Sequence, residues 1–242
     1  DGLIKNINEN IEGDYNIGIG HIRYKTNGNM DNELIQPFIL DNIILCHNGN
    51  IYNDTEIVNY ILKKYNILVD FKNDSDLLLK LFYYEIKNKE LNEENIEKVI
   101  INISSICKGS FNVIIHILDY GIICFKDKYG FRPLCYGKNK DGYIICSESI
   151  AIDNLDYEFC NEINPGEMII IKDNLDFYKK QYIESDLHFC IFEYIYMSRP
   201  ETILNGISVY DVRLKLGEYL ARELTRNISK EEYDNIDYII PI

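Results

Sequence analysis

No stretch of this 242-residue sequence is apolar for long enough to span a bilayer, and its opening residues lack the pattern of a signal peptide. Basic residues are in short supply. The 25 Lys and Arg stand against 39 Asp and Glu, a formal charge of −14. That balance argues against broad binding to nucleic acid or an anionic membrane, which needs clustered cations. It leaves room for an anionic small substrate, which needs only a local site. The seven cysteines include no C-x-x-C pair. Most lie in apolar runs such as Ile122-Ile123-Cys124-Phe125, as expected of reduced, buried thiols in a cytoplasmic protein. Four histidines without H-x-x-x-H spacing argue against zinc. Internal repeats and low-complexity linkers are also missing.

What is present is ordinary for a globular protein, with 46% hydrophobic residues and a length suited to one large domain or one domain plus part of another. The pattern predicts strands over Ile17–Tyr24, Phe38–His47, Ile67–Phe71, Phe111–Leu118, Gly121–Lys126, Leu134–Gly137, Tyr143–Ser147, Glu167–Lys172 and Asp176–Gln181. Asp119-Tyr120-Gly121, Asp141-Gly142 and Asp173-Asn174 join several of these as hairpins. Helices are expected after Asn53, from Ser75 to about Asn88 and from Glu93 to Ser105, with cap clusters at Asn53–Glu56 and Asn73–Asp76. After about Asp186 the texture changes. Val209, Val212, Leu216 and Leu220 recur at helical spacing, and a polar stretch leads to the apolar run Tyr238–Ile242. Many antiparallel strands with helices, then the opening of a helix–strand unit, predict an α+β domain (1–186) joined to the start of an α/β domain (187–242). The sequence begins at Asp1 and ends inside a run suited to a buried parallel strand, so a fragment is expected.

Two short segments carry the chemistry. In Ile17-Gly18-Ile19-Gly20-His21-Ile22-Arg23-Tyr24, a guanidinium continues an isoleucine face, where it needs an anionic partner. A substrate carboxylate and a structural salt bridge satisfy that need about equally. In Cys46-His47-Asn48-Gly49-Asn50, the Asn48 amide and the Gly49 N–H suit a developing oxyanion, whereas Asn-Gly by default is a hairpin turn. The residues that follow lead toward a helix cap and supply no alternating return strand, which weakens the hairpin reading. Asp74 sits in a cap cluster, and local sequence favours capping. Combined with Arg23 it would instead complete a clamp for an α-amino acid, anion to ammonium and cation to carboxylate. A free α-amino acid with a hydrolysable side-chain amide is glutamine or asparagine.

Gly18-x-Gly20-His21-x-Arg23-Tyr24-x-Thr26, Gln36-Pro37-Phe38 and His47-Asn48-Gly49-Asn50 together resemble the class II glutamine amidotransferases. Asp127-x-Tyr129-Gly130-Phe131-Arg132-Pro133-Leu134, Ser147-Glu148-Ser149-x-Ala151-x-Asp153 and Pro165-Gly166-Glu167 follow in the order of the amidophosphoribosyltransferase family. The run from Cys190 through Glu193, Arg199-Pro200-Glu201 and Gly206 to Tyr210 resembles that family's domain junction, which the sugar-isomerising and asparagine-forming relatives lack.

The resemblance implies an N-terminal-nucleophile-type αββα sandwich with antiparallel sheets, followed by the start of an α/β phosphoribosyltransferase domain. It implies hydrolysis of glutamine and transfer of ammonia to phosphoribosyl pyrophosphate, the entry step of purine synthesis. It assigns Arg23 to the glutamine α-carboxylate with Thr26 nearby, Asn48 and Gly49 to the oxyanion hole, and Asp74 to the α-amino group. The family nucleophile, a mature N-terminal cysteine, has no counterpart at Asp1, and none of the seven cysteines replaces it by motif. The acidic phosphoribosyl loop with its Mg²⁺ is likewise missing, so the stretch as given is expected to lack both half-reactions while keeping part of the glutamine pocket. Some members carry a 4Fe-4S cluster. Cys190 resembles its first ligand, but cluster-free members can have this cysteine too. A homo-oligomer is expected at full length. Another class II amidotransferase and a non-catalytic glutamine-binding module remain as alternatives; phosphoribosyl pyrophosphate dependence separates the first, and glutamine binding without hydrolysis the second.

Overall fold

The computed structural model describes residues 16–22 and 34–240. Three amphipathic helices cover one face of a large sheet. They are α1 (Asp54–Tyr65), α2 (Asp74–Ile86) and α3 (Glu93–Ile106). Asn73 and Asn92 cap α2 and α3, each side chain accepting an N–H from three residues on, at 2.9 Å. Ile57 and Ile61 of α1, and Ile96, Val99, Ile100 and Ile103 of α3, repeat at the spacing that keeps one stripe facing inward.

The large sheet is antiparallel, with strand order β1-β2-β3-β4-β8-β9. Its strands are β1 (Phe38–Leu40), β2 (Ile43–Ile51), β3 (Gly109–Ile117), β4 (Gly121–Lys126), β8 (Glu167–Lys172) and β9 (Phe177–Gln181). Side chains alternate strictly across it. Val113, Ile115, Phe125, Met168 and Ile170 join the core beneath the helices. Cys124, Ile169 and Ile171 point the other way and pack with Leu134 and Ile163 against a second sheet. That sheet has order β6-β5-β7, from β5 (Cys135–Lys138), β6 (Tyr143–Cys146) and β7 (Glu158–Glu162). Short helix α4 (Ser149–Asn154) lies on its outer side. There Gly137 leaves room for Ile152, whose Cγ2 would be 2.7 Å from an added Cβ. The layers are therefore helix, sheet, sheet, helix, the αββα sandwich of the N-terminal-nucleophile type.

A π-helical turn (Glu193–Met197), a ribbon of β10 (Ile203–Leu204) and β11 (Ile207–Ser208), α5 (Val209–Asn227) and α6 (Lys230–Asp234) complete the described chain. Among the described residues, no helix is long and apolar enough to cross a membrane.

Several expectations require correction. Phe38–His47 is not one strand, because Asp41 at φ 56° turns the chain between β1 and β2. Asp tolerates this left-handed position, and Asp41-Asn42 is the turn pair, set between the apolar runs Phe38–Leu40 and Ile43–Cys46. The strand does not end at His47: β2 runs on through Asn48 and Gly49 to Ile51, which agrees with the argument against a hairpin turn there. Ile67–Phe71 forms no strand, having no ladder partner, and only Val69 of it is buried. Residues 17–22 are irregular, and the rest of that predicted strand lies outside the described residues. Residues 238–240 are exposed and form no strand, and 241–242 are outside the described residues. Strand β7, Glu-Phe-Cys-Asn-Glu, was hidden by its polar composition.

Candidate active site

Strand β2 has unequal partners on its two edges. β3 pairs with it along its whole length, from Ile43↔Ile117 to Ile51↔Gly109, whereas β1 pairs only with Ile43, Ile44 and Leu45. Side chains finish the short edge. The Gln36 amide takes the place of a strand residue: Oε1 accepts the His47 N–H at 2.6 Å and Nε2 donates to the His47 carbonyl at 3.0 Å. Further along, Asp74 Oδ2 accepts the Ile51 N–H at 3.0 Å. Alternation along the strand places the Gly49 N–H on this same edge, between those of residues 47 and 51. Among the described residues no strand lies against it there.

Glycine is required at position 49 by close approach. A Cβ would stand 2.0 Å from the Ser110 carbonyl oxygen and 2.7 Å from His47 Nε2. Asn48, half-buried, lies opposite Asn112 on the face that turns away from the helices. The Asn112 amide donates to the carbonyls of Arg132 (2.9 Å) and Pro133 (2.8 Å), fixing the loop after β4. The Asn48 amide forms no hydrogen bond with another described residue.

His47 points beneath the sheet toward the start of α2. Its Nδ1 is 2.9 Å from Ser75 Oγ and 3.9 Å from Asp74 Oδ2, and its buried Nε2 has no hydrogen-bond partner among the described residues. Burial pushes its pKa down in spite of Asp74, so the imidazole is neutral at neutral pH. Asp74 is the first residue of α2, one past the Asn73 cap, so the capping favoured by local sequence belongs to Asn73. The Asp74 carboxylate instead ties β2 to α2, with Oδ1 accepting the Ser75 N–H at 2.9 Å. Its side chain keeps 26% exposure, leaving a face for a ligand.

The structure thus brings Asn48, Gly49 and Asp74 together at one end of β2. Arg23 and Thr26 lie outside the described residues. Sequence reasoning assigned no role to Gln36 or His47, although both stand in the motifs it quoted. We expect Gln36→Leu to destabilise the fold by about 1–3 kcal/mol in urea unfolding, because two backbone groups of His47 lose their partner.

The thiols near this site are poor nucleophiles. Burial pushes Cys46 up to about 11 and Cys107 up to about 12. Cys190 lies apart in the segment between β9 and the π-helical turn, where its N–H donates to the Phe131 carbonyl at 3.3 Å. Among the described residues no group of three or more His, Cys, Asp or Glu is placed to hold a metal. A cubane needs four thiolates, so Cys190 with its present neighbours does not fit one.

Asp127 and Glu148 organise the connection to that segment. Buried Asp127 accepts the N–H groups of Phe111 (2.9 Å), Tyr129 (2.8 Å) and Gly130 (2.9 Å), folding the Tyr129–Pro133 loop. Arg132 on this loop pairs with Glu193 at 2.8 Å. Glu148 Oε2 accepts from the Arg199 N–H and the Thr202 hydroxyl, both at 2.7 Å.

A family model described as the glutamine amidotransferase domain matches residues 21–154, more than half of the chain and the whole of the Asn48–Asp74 region. The chain belongs to this family. The amidotransferase match agrees with curated relatives. It is 39% identical to an amidophosphoribosyltransferase from Archaeoglobus fulgidus, over 85% of this chain and 44% of that protein. It is 33% identical to the one from Escherichia coli strain K12, over 94% of this chain and 47% of that protein. The chain spans about half the length of the curated relatives it matches. Among solved structures, glutamine phosphoribosylpyrophosphate amidotransferase from B. subtilis, complexed with ADP and GMP, superposes with a TM-score of 0.69 at 31% identity. That match covers 84% of this amidotransferase chain and 43% of the other.

Proposed function

We propose that this chain is the glutamine-binding part of an enzyme that hydrolyses glutamine and transfers the ammonia to phosphoribosyl pyrophosphate, giving 5-phosphoribosylamine, glutamate and pyrophosphate in the first step of purine synthesis. The observation that carries this reading is the extent of the similarity. Likeness to amidophosphoribosyltransferases runs over 94% of the chain, well past the amidotransferase match at residue 154 and through the junction segment.

In this reading the Gly49 N–H, on its unpaired edge, and the Asn48 amide donate to the oxygen of the glutamine side-chain amide as it becomes an oxyanion. The Asp74 carboxylate receives the substrate ammonium, and Arg23 receives its α-carboxylate, with Thr26 beside it. His47, neutral and buried, supports the strand from below and takes no proton. Mg²⁺ would accompany phosphoribosyl pyrophosphate. The cytoplasm, where both substrates occur, is the proposed location, and a homo-oligomer the proposed assembly.

Arg23→Ala tests the assignment in the full-length protein. The KM for glutamine should rise by about 10–100-fold, the worth of a charge-assisted pair, while turnover with free ammonia stays near wild type. Equal loss with both nitrogen donors would make Arg23 structural. Glutamine hydrolysis that is indifferent to phosphoribosyl pyrophosphate would point to a different acceptor.

A further inference from the structure

Cys135 and Cys146 face each other directly across β5 and β6, in register as a cross-strand pair. Their sulfurs are 3.7 Å apart. Opposed residues of antiparallel strands have Cα atoms about 4.5–5.5 Å apart, inside the range that a disulfide bridges, so only side-chain rotation toward an S–S length of about 2.05 Å is needed. Neither thiol has a part in the glutamine chemistry. We propose that Cys135 and Cys146 form a peroxide-oxidisable dithiol site, whose disulfide alters how the sandwich grips the junction segment.

The two thiols are unequal. Cys135 is buried, while Cys146 is partly exposed, and either sulfur can donate to the other across the 3.7 Å between them. That hydrogen bond, helped by the backbone near Glu148, pulls the Cys146 thiol below its ordinary value, and the same contact pushes Cys135 up. Cys146 is the attacking group and Cys135 the resolving one. In the first step the Cys146 thiolate attacks a peroxide oxygen. The O–O bond breaks, hydroxide leaves and Cys146 becomes a sulfenic acid. In the second step Cys135 sulfur attacks Cys146 sulfur. The S–O bond breaks, the thiol proton leaves with the hydroxyl as water, and the S–S bond forms. The peroxide is the oxidant, and two thiols are oxidised to one disulfide.

The consequence follows from the chain beyond Cys146. Its thiol donates to the Glu148 carbonyl at 3.2 Å. Two residues on, the Glu148 carboxylate holds Arg199 and Thr202, and Ser149 Oγ accepts the Ile203 N–H at 3.0 Å. Oxidation removes the thiol donor and redirects its sulfur toward Cys135, loosening the turn that presents Glu148.

The test treats the full chain with hydrogen peroxide, alkylates it in denaturant and maps the peptides by mass spectrometry. The expected result is loss of both alkylatable thiols and a Cys135–Cys146 linked peptide that dithiothreitol reverses. With Cys135→Ser, dimedone should instead label Cys146, several-fold more than in the unmodified chain. Hydrogen exchange at Arg199 to Ile203 should quicken on oxidation. Oxidation of Cys160 or Cys190 with both thiols of the pair intact would overturn the site. Linked peptide with unchanged exchange over 199–203 would overturn its effect on the junction. The unmodified chain alone decides both points, so a poorly folding variant does not blunt the experiment.

Discussion

Asn48→Ala in the full-length protein should lower glutamine-dependent turnover by about 10²–10³, the usual cost of removing one oxyanion donor. Ammonia-dependent turnover should persist, because ammonia bypasses the amide pocket. The KM for glutamine should change little, since the donor acts on charge that develops after binding. The variant should also fold normally: the Asn48 side chain makes no hydrogen bond to another described residue, and half-buried amide truncations with no such partner are mild. Steady-state kinetics with the two nitrogen donors measures this directly. A fall of less than about threefold would remove Asn48 from the oxyanion hole. A parallel fall with ammonia would give it a structural role.

Gly49→Ala should be damaging in a second way. The new Cβ would lie 2.0 Å from the Ser110 carbonyl oxygen, so β2 and β3 must separate where their ladder passes the site. Overpacking of this kind costs about 1–3 kcal/mol, and it displaces the Gly49 N–H as well. Loss of glutaminase activity should therefore accompany a lower midpoint in urea. Because the obstructing atom belongs to the backbone, Ser110→Gly should not rescue it. Asn50→Ala, at the exposed neighbouring position, should change stability by less than about 0.5 kcal/mol. An unaltered unfolding midpoint for Gly49→Ala would contradict the close approach of the two strands.

Periodicity told the helices reliably. Ile57 and Ile61, and the series from Ile96 to Ile103, repeat at a spacing that only a helix brings to one face, and the Asn73 and Asn92 caps stand where their side chains can meet an N–H. Strands were harder. Phe38–Leu40 and Ile43–Cys46 are apolar on both sides of Asp41-Asn42, so the flanking runs outweighed a turn pair that the sequence does carry, and β7 is polar enough to look like a loop. At the candidate site, residue types made Asn48 and Gly49 visible as an amide beside a small residue. Whether that dipeptide turns or continues a strand depends on β3, some sixty residues away in sequence.

By itself, then, the sequence determined the helices, the family and the residue types from which an oxyanion site can be built, because these rest on local spacing and composition. Only the tertiary structure decided that Gly49 sits within a strand, that its N–H faces the edge β1 leaves open, and that Asp74 serves β2 rather than its own helix cap. Tertiary structure also decided that Cys135 meets Cys146. The physical reason is common to all of these: an edge, a register and a cross-strand partner depend on where other strands begin and end, and no local pattern records that.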